Sequence, residues 1–327
     1  MKTSVIFSFV FLAAFAAAPL VLDRYYLTLL IPFFGYAIAL LGLNLLFGYG
    51  GLLSFGHALF LAIGAYTAAV VTAKLGILHF EIVVLTAALA AAALAVPLGV
   101  ICVRHTKIFF GMLTLAFGML FHSFLFKFYE LTGGDEGSPI RRPTLLGFEF
   151  PSMDKMQFVT GPFYYYCLAT ALVAGFVMWR LVNSPFGLHL KAARDNDRKA
   201  EYVGVSVRKA RLVAFVISAV YGAIGGAIIG TNTGLADPEI AYWTQSGNLV
   251  FMTVLGGFSS FFGPPVGAFV FIFLQDFLAS NMNYWRFVLG AILAVIVIVL
   301  PHGIMGLATR LSHDKSRSQD LMQEAKV

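Results

Sequence analysis

NSPFGLHLKAARDNDRKAEYVGVSVRKAR, running from Asn183 to Arg211, is a charged island in a chain that is otherwise largely apolar. It holds Lys191, Arg194, Arg198, Lys199, Arg208, Lys209 and Arg211 against three acids, Asp195, Asp197 and Glu201. Long apolar runs flank it on both sides. Lys and Arg resist translocation across a bilayer, so a basic loop of this kind stays in the cytoplasm. The island therefore orients the runs before and after it. It is also the largest surface open to a cytoplasmic partner.

Composition agrees with that frame. The chain has 327 residues, 59% hydrophobic and 12% charged, with mean hydropathy +0.85. Soluble domains carry about a quarter charged residues, so this is an integral membrane protein. The formal net charge of +6 gathers mainly in the island, the Arg104–Lys107 loop and the C-terminal tail. That pattern reports topology and not nucleic-acid binding. Cys102 and Cys167 lie inside apolar runs near opposite membrane faces, which predicts packing residues and no mutual disulfide.

A helix needs about 20 apolar residues to cross a bilayer. Candidate spans fall at 4–22, 27–47, 52–73, 80–102, 107–127, 162–182, 211–231, 247–262, 264–281 and 285–305. Alternation from a cytoplasmic Lys2 puts Arg104, His105 and Lys107 inside, the 128–161 loop outside and the 183–210 loop inside. It returns the tail 306–327, with Arg310, Lys315, Arg317 and Lys326, to the inside. Lys74, Lys127, Arg141, Arg142 and Lys155 fall outside, near acids. The expectation is an all-α polytopic membrane protein of about ten transmembrane helices, with both termini cytoplasmic. Its membrane domain covers 1–305. Lys2 and the apolar run after it also have the form of a signal peptide ending near residue 18. The reading taken is an uncleaved first span. Spans two to five and seven to ten enter the membrane from opposite sides, so an inverted repeat is geometrically allowed.

Two segments are not plain spans. GYGGLLSFGHALFLAIGAYTAA (Gly48–Ala69) and GNLVFMTVLGGFSSFFGPPVGAF (Gly247–Phe269) carry Gly, Ser and Pro within apolar surroundings. Interrupted segments at comparable places in two halves mark transport sites, and small residues equally serve close helix packing. Asn44, Ser54, Thr67, Asn248 and Ser259 offer hydrogen bonds either to a solute in transit or between helices. His57 and His122 lie within spans, and Asp276 within the ninth. An intramembrane carboxylate needs a partner or a proton, so Asp276 either lines a path or sits at the outer interface beside Gln275. Gly222, Gly226 and Gly230, spaced by four, read as a helix contact face.

The island itself reads as helix. Ser184 is placed to cap it, Pro185 suits the first helical position and Gly204 suits a left-handed end. Asp195-Asn196-Asp197 divides it into two short helices. Phe186, Leu188 and Ala192 give it an apolar face, as a docking helix would have. A solvated orienting loop is the plainer alternative.

Chemistry of other kinds is missing from the sequence. No G-x4-G-K-[ST] loop occurs, so any ATP that drives this protein is hydrolysed on another chain. The seven histidines have no H-E-x-x-H or C-x-x-C companions, which predicts no metal site. Gly133-Gly134-Asp135-Glu136-Gly137 matches the first letters of a nucleotide cyclase signature, but it reads as a Gly-rich turn, since the loop has no room for a cyclase domain. Neither a catalytic set nor a cofactor is expected.

The fragments SPFG, KAARDND and AEYVGVSVRKARLVAFVISA resemble the cytoplasmic loop of branched-chain amino acid ABC permeases of the LivM type. GYGGLLSFGHALFLAIGAYTAA, FGMLTLAFGML, TGGDEG, DPEIAYWTQSGNLVFMTVLGGFSSFFGPPVGAF and YWRFVLGAILAVIVIVLPHGIMGL extend the likeness, in order, from Leu41 to Leu307. The resemblance implies half of an importer's translocation path in the inner membrane. It implies a second permease of similar fold, two cytoplasmic ATPases and a periplasmic substrate-binding protein, with ATP used only by the partners. It places a coupling helix within 186–204, with Phe186, Gly187, Leu188, Ala192, Arg194, Asp195, Ala200, Glu201 and Gly204 as candidate contacts. The degenerate EAA-x3-G pattern of such loops is matched only at Ala200 and Gly204, since Arg198-Lys199-Ala200 stands in the EAA place. Similar permeases carry urea or small amides. An ion-driven secondary transporter would instead need Asp276 with His57 or His122. The loop 128–161 either meets the binding protein or forms a packed cap.

Overall fold

The computed structural model describes residues 15–148, 150, 153–300 and 303–306. The start of the first expected span and the basic tail lie outside the described residues. The long apolar runs form helices because a bilayer offers no water to backbone N–H and C=O groups, and a helix pairs them internally. Helix α1 (Arg24–Asn44) continues through a π turn, Leu45–Tyr49. Helix α2 (Ala58–Ala69) does likewise through Val70–Lys74. Then come α3 (Phe80–Cys102), α4 (Lys107–Lys127) and α5 (Tyr164–Val182), the last continuous with a helical stretch from Lys155. The island forms α6 (Pro185–Asp195) and α7 (Asp197–Tyr202). Helices α8 (Val207–Thr233), α9 (Trp243–Gly256), α10 (Gly263–Asn281) and α11 (Trp285–Val299) follow.

Among the described residues, seven helical stretches are long and apolar enough to cross a membrane: 24–49, 80–102, 108–127, 155–182, 207–233, 263–281 and 285–306. The protein is an all-α, multi-pass membrane protein. Helices α2 and α9 are shorter, and each follows an irregular stretch of chain, 50–57 and 234–242. Their bounds differ from the sequence expectation. Helix α2 begins at Ala58 and not near 52. Helix α9 begins at Trp243 and stops at Gly256, because Gly257 turns the chain at φ 103°.

Two helices form the centre. Of the most apolar window, 83% is buried in the 24–49 stretch and 67% in α8, against 19–39% in the other five. So α1 and α8 are sheathed by protein, and the rest present wide apolar faces to lipid or to another subunit. Close approach at this centre needs small residues. A Cβ on Gly35 would meet the Gly225 carbonyl at 2.8 Å and Ile229 at 2.7 Å, and one on Gly42 would meet Tyr221 at 2.6 Å.

Contacts sort the loops into two ends. At one, Lys74 Nζ donates to the carbonyls of Glu130 and Leu131, Thr144 pairs with the 78–80 backbone, and Ser138–Pro139 pairs antiparallel with Leu235–Ala236. At the other, the 44–51 turn meets the island and the 257–262 loop.

Candidate functional site

The island folds into an elbow. Pro185 opens α6, since the missing N–H of proline has no partner there in any case. Ser184 does not cap it, contrary to expectation: its hydroxyl donates back to the Leu181 carbonyl at 2.6 Å. The chain breaks at Asn196, whose extended backbone leaves Oδ1 free to accept from Lys199 N at 3.0 Å and cap α7. Gly204, at φ 88°, then turns the chain toward α8. Ala193, Ala200 and Val207 form a small buried cluster that seats the elbow on the base of α8. Gly187 backs directly onto the Val182 carbonyl.

The two sides of the elbow differ. Outward, Leu188 is 67%, Val203 79% and Tyr202 87% exposed. They lie among exposed Arg198, Lys199, Glu201, Arg208 and Lys209. Apolar side chains held out at a charged end mark a protein-contact surface. Phe186 and Ala192 are half-buried. Inward, Arg211 is gripped by Asp197 through two hydrogen bonds of 2.7 and 2.9 Å and also donates to the Ala193 carbonyl at 3.4 Å. Its side chain is only 8% exposed, and a buried charge of this kind must be paired. Arg211 lies in the first turns of α8, where the helix dipole disfavours a cation, so Asp197 answers that as well. Arg194 donates through Nη1 to the Gly48 carbonyl at 2.6 Å and pairs with Asp195 at 2.9 Å. Lys191 stands 5.1 Å from the centre of the Tyr49 ring. Arg194 and Asp195, read from the sequence as contacts for a partner, are thus engaged inside the chain.

The two interrupted segments meet. Asn44 Nδ2 donates to the Ser260 carbonyl at 3.2 Å, the Phe47 and Phe258 rings lie 4.8 Å apart, and Gly48 abuts the Phe258 carbonyl. Deeper in the bundle, Ala58 N donates to Ser246 Oγ at 3.0 Å, so the starts of α2 and α9 touch. His57 is fully buried against Phe60 and Gly222, with neither ring nitrogen hydrogen-bonded. Ser54 is buried with an unpaired hydroxyl, beside a cavity of about 10 Å³ that Thr114 also lines, room for about one water. An amino acid does not fit there. Thr67 is half-buried on α2, and Ser259 is exposed. Asn248 donates to Gln245, which donates to the Tyr36 hydroxyl at 2.6 Å.

Asp276 stands apart from this group. It accepts a 2.6 Å hydrogen bond from Tyr25, where α10 ends and α1 begins. His122 packs between Phe126 and Tyr242. Asp276, His57 and His122 therefore have separate neighbours and make no joint ion site. Among the described residues no group of three or more His, Cys, Asp or Glu is placed to hold a metal. Gly222, Gly226 and Gly230 face Phe60, the Leu61 carbonyl and Ala65, so this face of α8 lies on α2.

Sequence reasoning missed several of these groups. The Asp197–Arg211 grip spans two helices and leaves no periodic signal. A weak one existed: Arg211 is the last charge before an apolar run, and such a charge needs a partner. Tyr202 and Val203 carry no sequence signal, since nothing local marks which side of the elbow they face. Gln245 and Tyr25 fall just outside the expected spans 247–262 and 27–47, so their partners are not legible locally.

Two interrupted segments thus meet inside a multi-pass bundle that carries a basic elbow at one end, an arrangement suited to a membrane transport component. Residues 25–297 match the family described as branched-chain amino acid transport system / permease component. The high-affinity branched-chain amino acid transport system permease protein LivM of Escherichia coli is 30% identical over 292 residues, covering 83% of this chain and 67% of that protein. The corresponding LivH of Escherichia coli is 24% identical over 297 residues, 83% of this chain and 91% of LivH. The guanosine ABC transporter permease protein NupQ of Bacillus subtilis is 28% identical over 72 residues, 22% of this chain and 23% of NupQ. No solved structure matches. The chain belongs to the branched-chain amino acid transport system permease family, whose members are transport components and not enzymes.

Proposed function

We propose that this chain is a permease subunit of an ABC importer in the bacterial inner membrane, forming half of the path for branched-chain amino acids. A periplasmic binding protein delivers the amino acid, a second permease of similar fold completes the path, and two cytoplasmic ATPases supply the energy. The observation that carries this is the elbow, with Leu188, Tyr202 and Val203 exposed on one side and Arg194 and Arg211 anchored on the other. A surface that only oriented the chain would need no such anchoring. Coupling contacts are then Phe186, Leu188, Ala192, Glu201 and Gly204, with Gly187 and Ala200 buried beneath them and Arg194 and Asp195 tied within the chain.

In this reading the elbow end is cytoplasmic, both termini lie on that side, and the chain makes about ten membrane passages. An inverted repeat is supported by the order of elements. A central helix, an irregular stretch and a short helix occur as α1, 50–57, α2 and again as α8, 234–242, α9. A long helix follows each, α3 and α10, and then α4 and α11. The path is proposed to open where the broken segments meet, at Asn44, Ser54, His57, Asn248 and Ser259, with Thr67 further along α2. Asp276, held by Tyr25, stands at the opposite end.

Cargo is the next question, because one relative is named for guanosine, and permeases similar to this family carry urea or small amides. Purification of the chain with its ATPases, binding protein and second permease, followed by mass spectrometry of the solute bound to the binding protein, tests the reading. Leucine, isoleucine or valine is the expected solute. Urea or a nucleoside would transfer the proposal to that cargo. A chain that purifies without any ATPase would refute it.

A further inference from the structure

Gly48 ends the central helix α1 in a π turn, where terminal carbonyls have no helical partner and the dipole favours a nearby cation. Arg194 supplies that cation from the elbow, 2.6 Å from the Gly48 carbonyl. On its other side Gly48 lies against the Phe258 carbonyl, while Asn44 holds Ser260 and Phe47 packs on Phe258. The 257–262 loop joins α9 to α10. Arg194 thus ties the elbow to the first interrupted segment, whose Asn44, Phe47 and Gly48 in turn meet the second. Arg211 and Asp197 meanwhile lock α6 and α7 to the base of α8, so the elbow is held as one body. Asp195 fixes the Arg194 fork through Nε and Nη2, which leaves Nη1 for Gly48.

We infer that Arg194 is a positioning residue that carries displacement of the elbow to the Asn44–Gly51 turn and through it to the 257–262 loop. This rests on the coupling reading above, and it goes further by naming the contact through which force enters the broken segments. A hydrogen bond from a charged donor to a carbonyl is strong enough to bias two conformations against each other, and it is lost cleanly on truncation.

The test uses the full complex in proteoliposomes, with amino-acid uptake and ATP hydrolysis measured together. Arg194→Ala is expected to lower uptake per ATP hydrolysed about tenfold, the factor that a charge-assisted hydrogen bond present in only one state supplies. A second readout is thiol labelling of Ser259→Cys, an exposed position in the 257–262 loop, over a background of two buried native cysteines. Its ATP-dependent change in labelling should vanish in Arg194→Ala and partly return in Arg194→Lys, whose ammonium can still donate. Arg104→Ala removes an exposed charge from the 103–106 turn, outside the elbow, and should move neither readout. If Arg194→Ala fails to accumulate, Arg194→Met, of similar length, carries the same expectation. Failure of both would overturn the inference by making the bond one needed for folding. An unchanged uptake-to-ATP ratio would overturn it, and so would loss of co-purifying ATPase, which would make Arg194 a docking contact. Uptake by the wild-type chain with no ATPase present would instead sink the importer reading itself.

Discussion

At the end that carries the 128–148 segment, the chain pairs its own backbone, and Lys74, Glu81 and Arg142 add side-chain bonds to that backbone. Ser138 and Pro139 pair with Leu235 and Ala236, and His79 bridges Thr144. Gly133, Gly134 and Gly137 turn at positive φ. At the elbow end the ties are charged side chains, Arg211 to Asp197 and Arg194 to Gly48, and exposed apolar residues stand outside them. Backbone pairing fixes a cap in one geometry. Side-chain ties can be made and released as a rigid unit moves, which suits a joint. In the proposed reading, the difference suits one end to a cap and the other to transmission.

The largest effect expected from breaking this contrast is at Gly187. A Trp there would collide with the Val182 backbone and displace α6. Gly187→Trp should abolish co-purification with the ATPases or uncouple hydrolysis from uptake completely, and Ala192→Trp should do so less fully. If assembly and uptake are both intact in Gly187→Trp, the coupling-helix assignment is wrong. Next comes Asp197→Ala, which leaves the Arg211 charge buried. Breaking a buried pair costs about 3–5 kcal/mol, reduced here to about 2–3 because Asp197 is 43% exposed. Limited proteolysis in vesicles should then cut the 183–206 segment well before the rest.

Gly137→Ala probes the opposite end. Gly137 sits at φ 72°, and a Cβ there would meet the Ala236 carbonyl at 2.5 Å. Strain of about 1–3 kcal/mol should lower the thermal midpoint in detergent, while uptake per ATP stays as in the wild type. Uncoupling by this variant would erase the distinction between the two ends. The smallest effect belongs to Tyr25→Phe. It removes one half-exposed hydrogen bond to Asp276, and a shift of no more than about 1 kcal/mol is expected in the same assay.

How far the sequence reaches can be judged element by element. The 80–102 and 107–127 runs coincide with α3 and α4 because an apolar run of membrane length has no stable alternative to helix. The division of the island at Asn196 was legible for a local reason: Asn caps through its own side chain. The start of α9 was not. Trp243, Thr244 and Gln245 look like a polar loop, and the ties that seat this turn, Gln245 on the Tyr36 hydroxyl of α1 and Ser246 on the Ala58 N–H of α2, join residues far apart in the chain. Ser184 failed as a cap because its hydroxyl found a nearer acceptor in the preceding helix. The direction of Arg194 was beyond any local pattern, since its acceptor lies 146 residues earlier. Local chemistry is written in neighbouring residues, whereas the side to which a charge turns is decided by the fold.

The most direct test of the whole account is uptake of labelled leucine into proteoliposomes that hold this chain and its second permease, with ATPases and binding protein added or withheld. The account predicts uptake only when ATP, the ATPases and the binding protein are all present. Uptake by this chain under an ion gradient alone, with no ATPase, would contradict it.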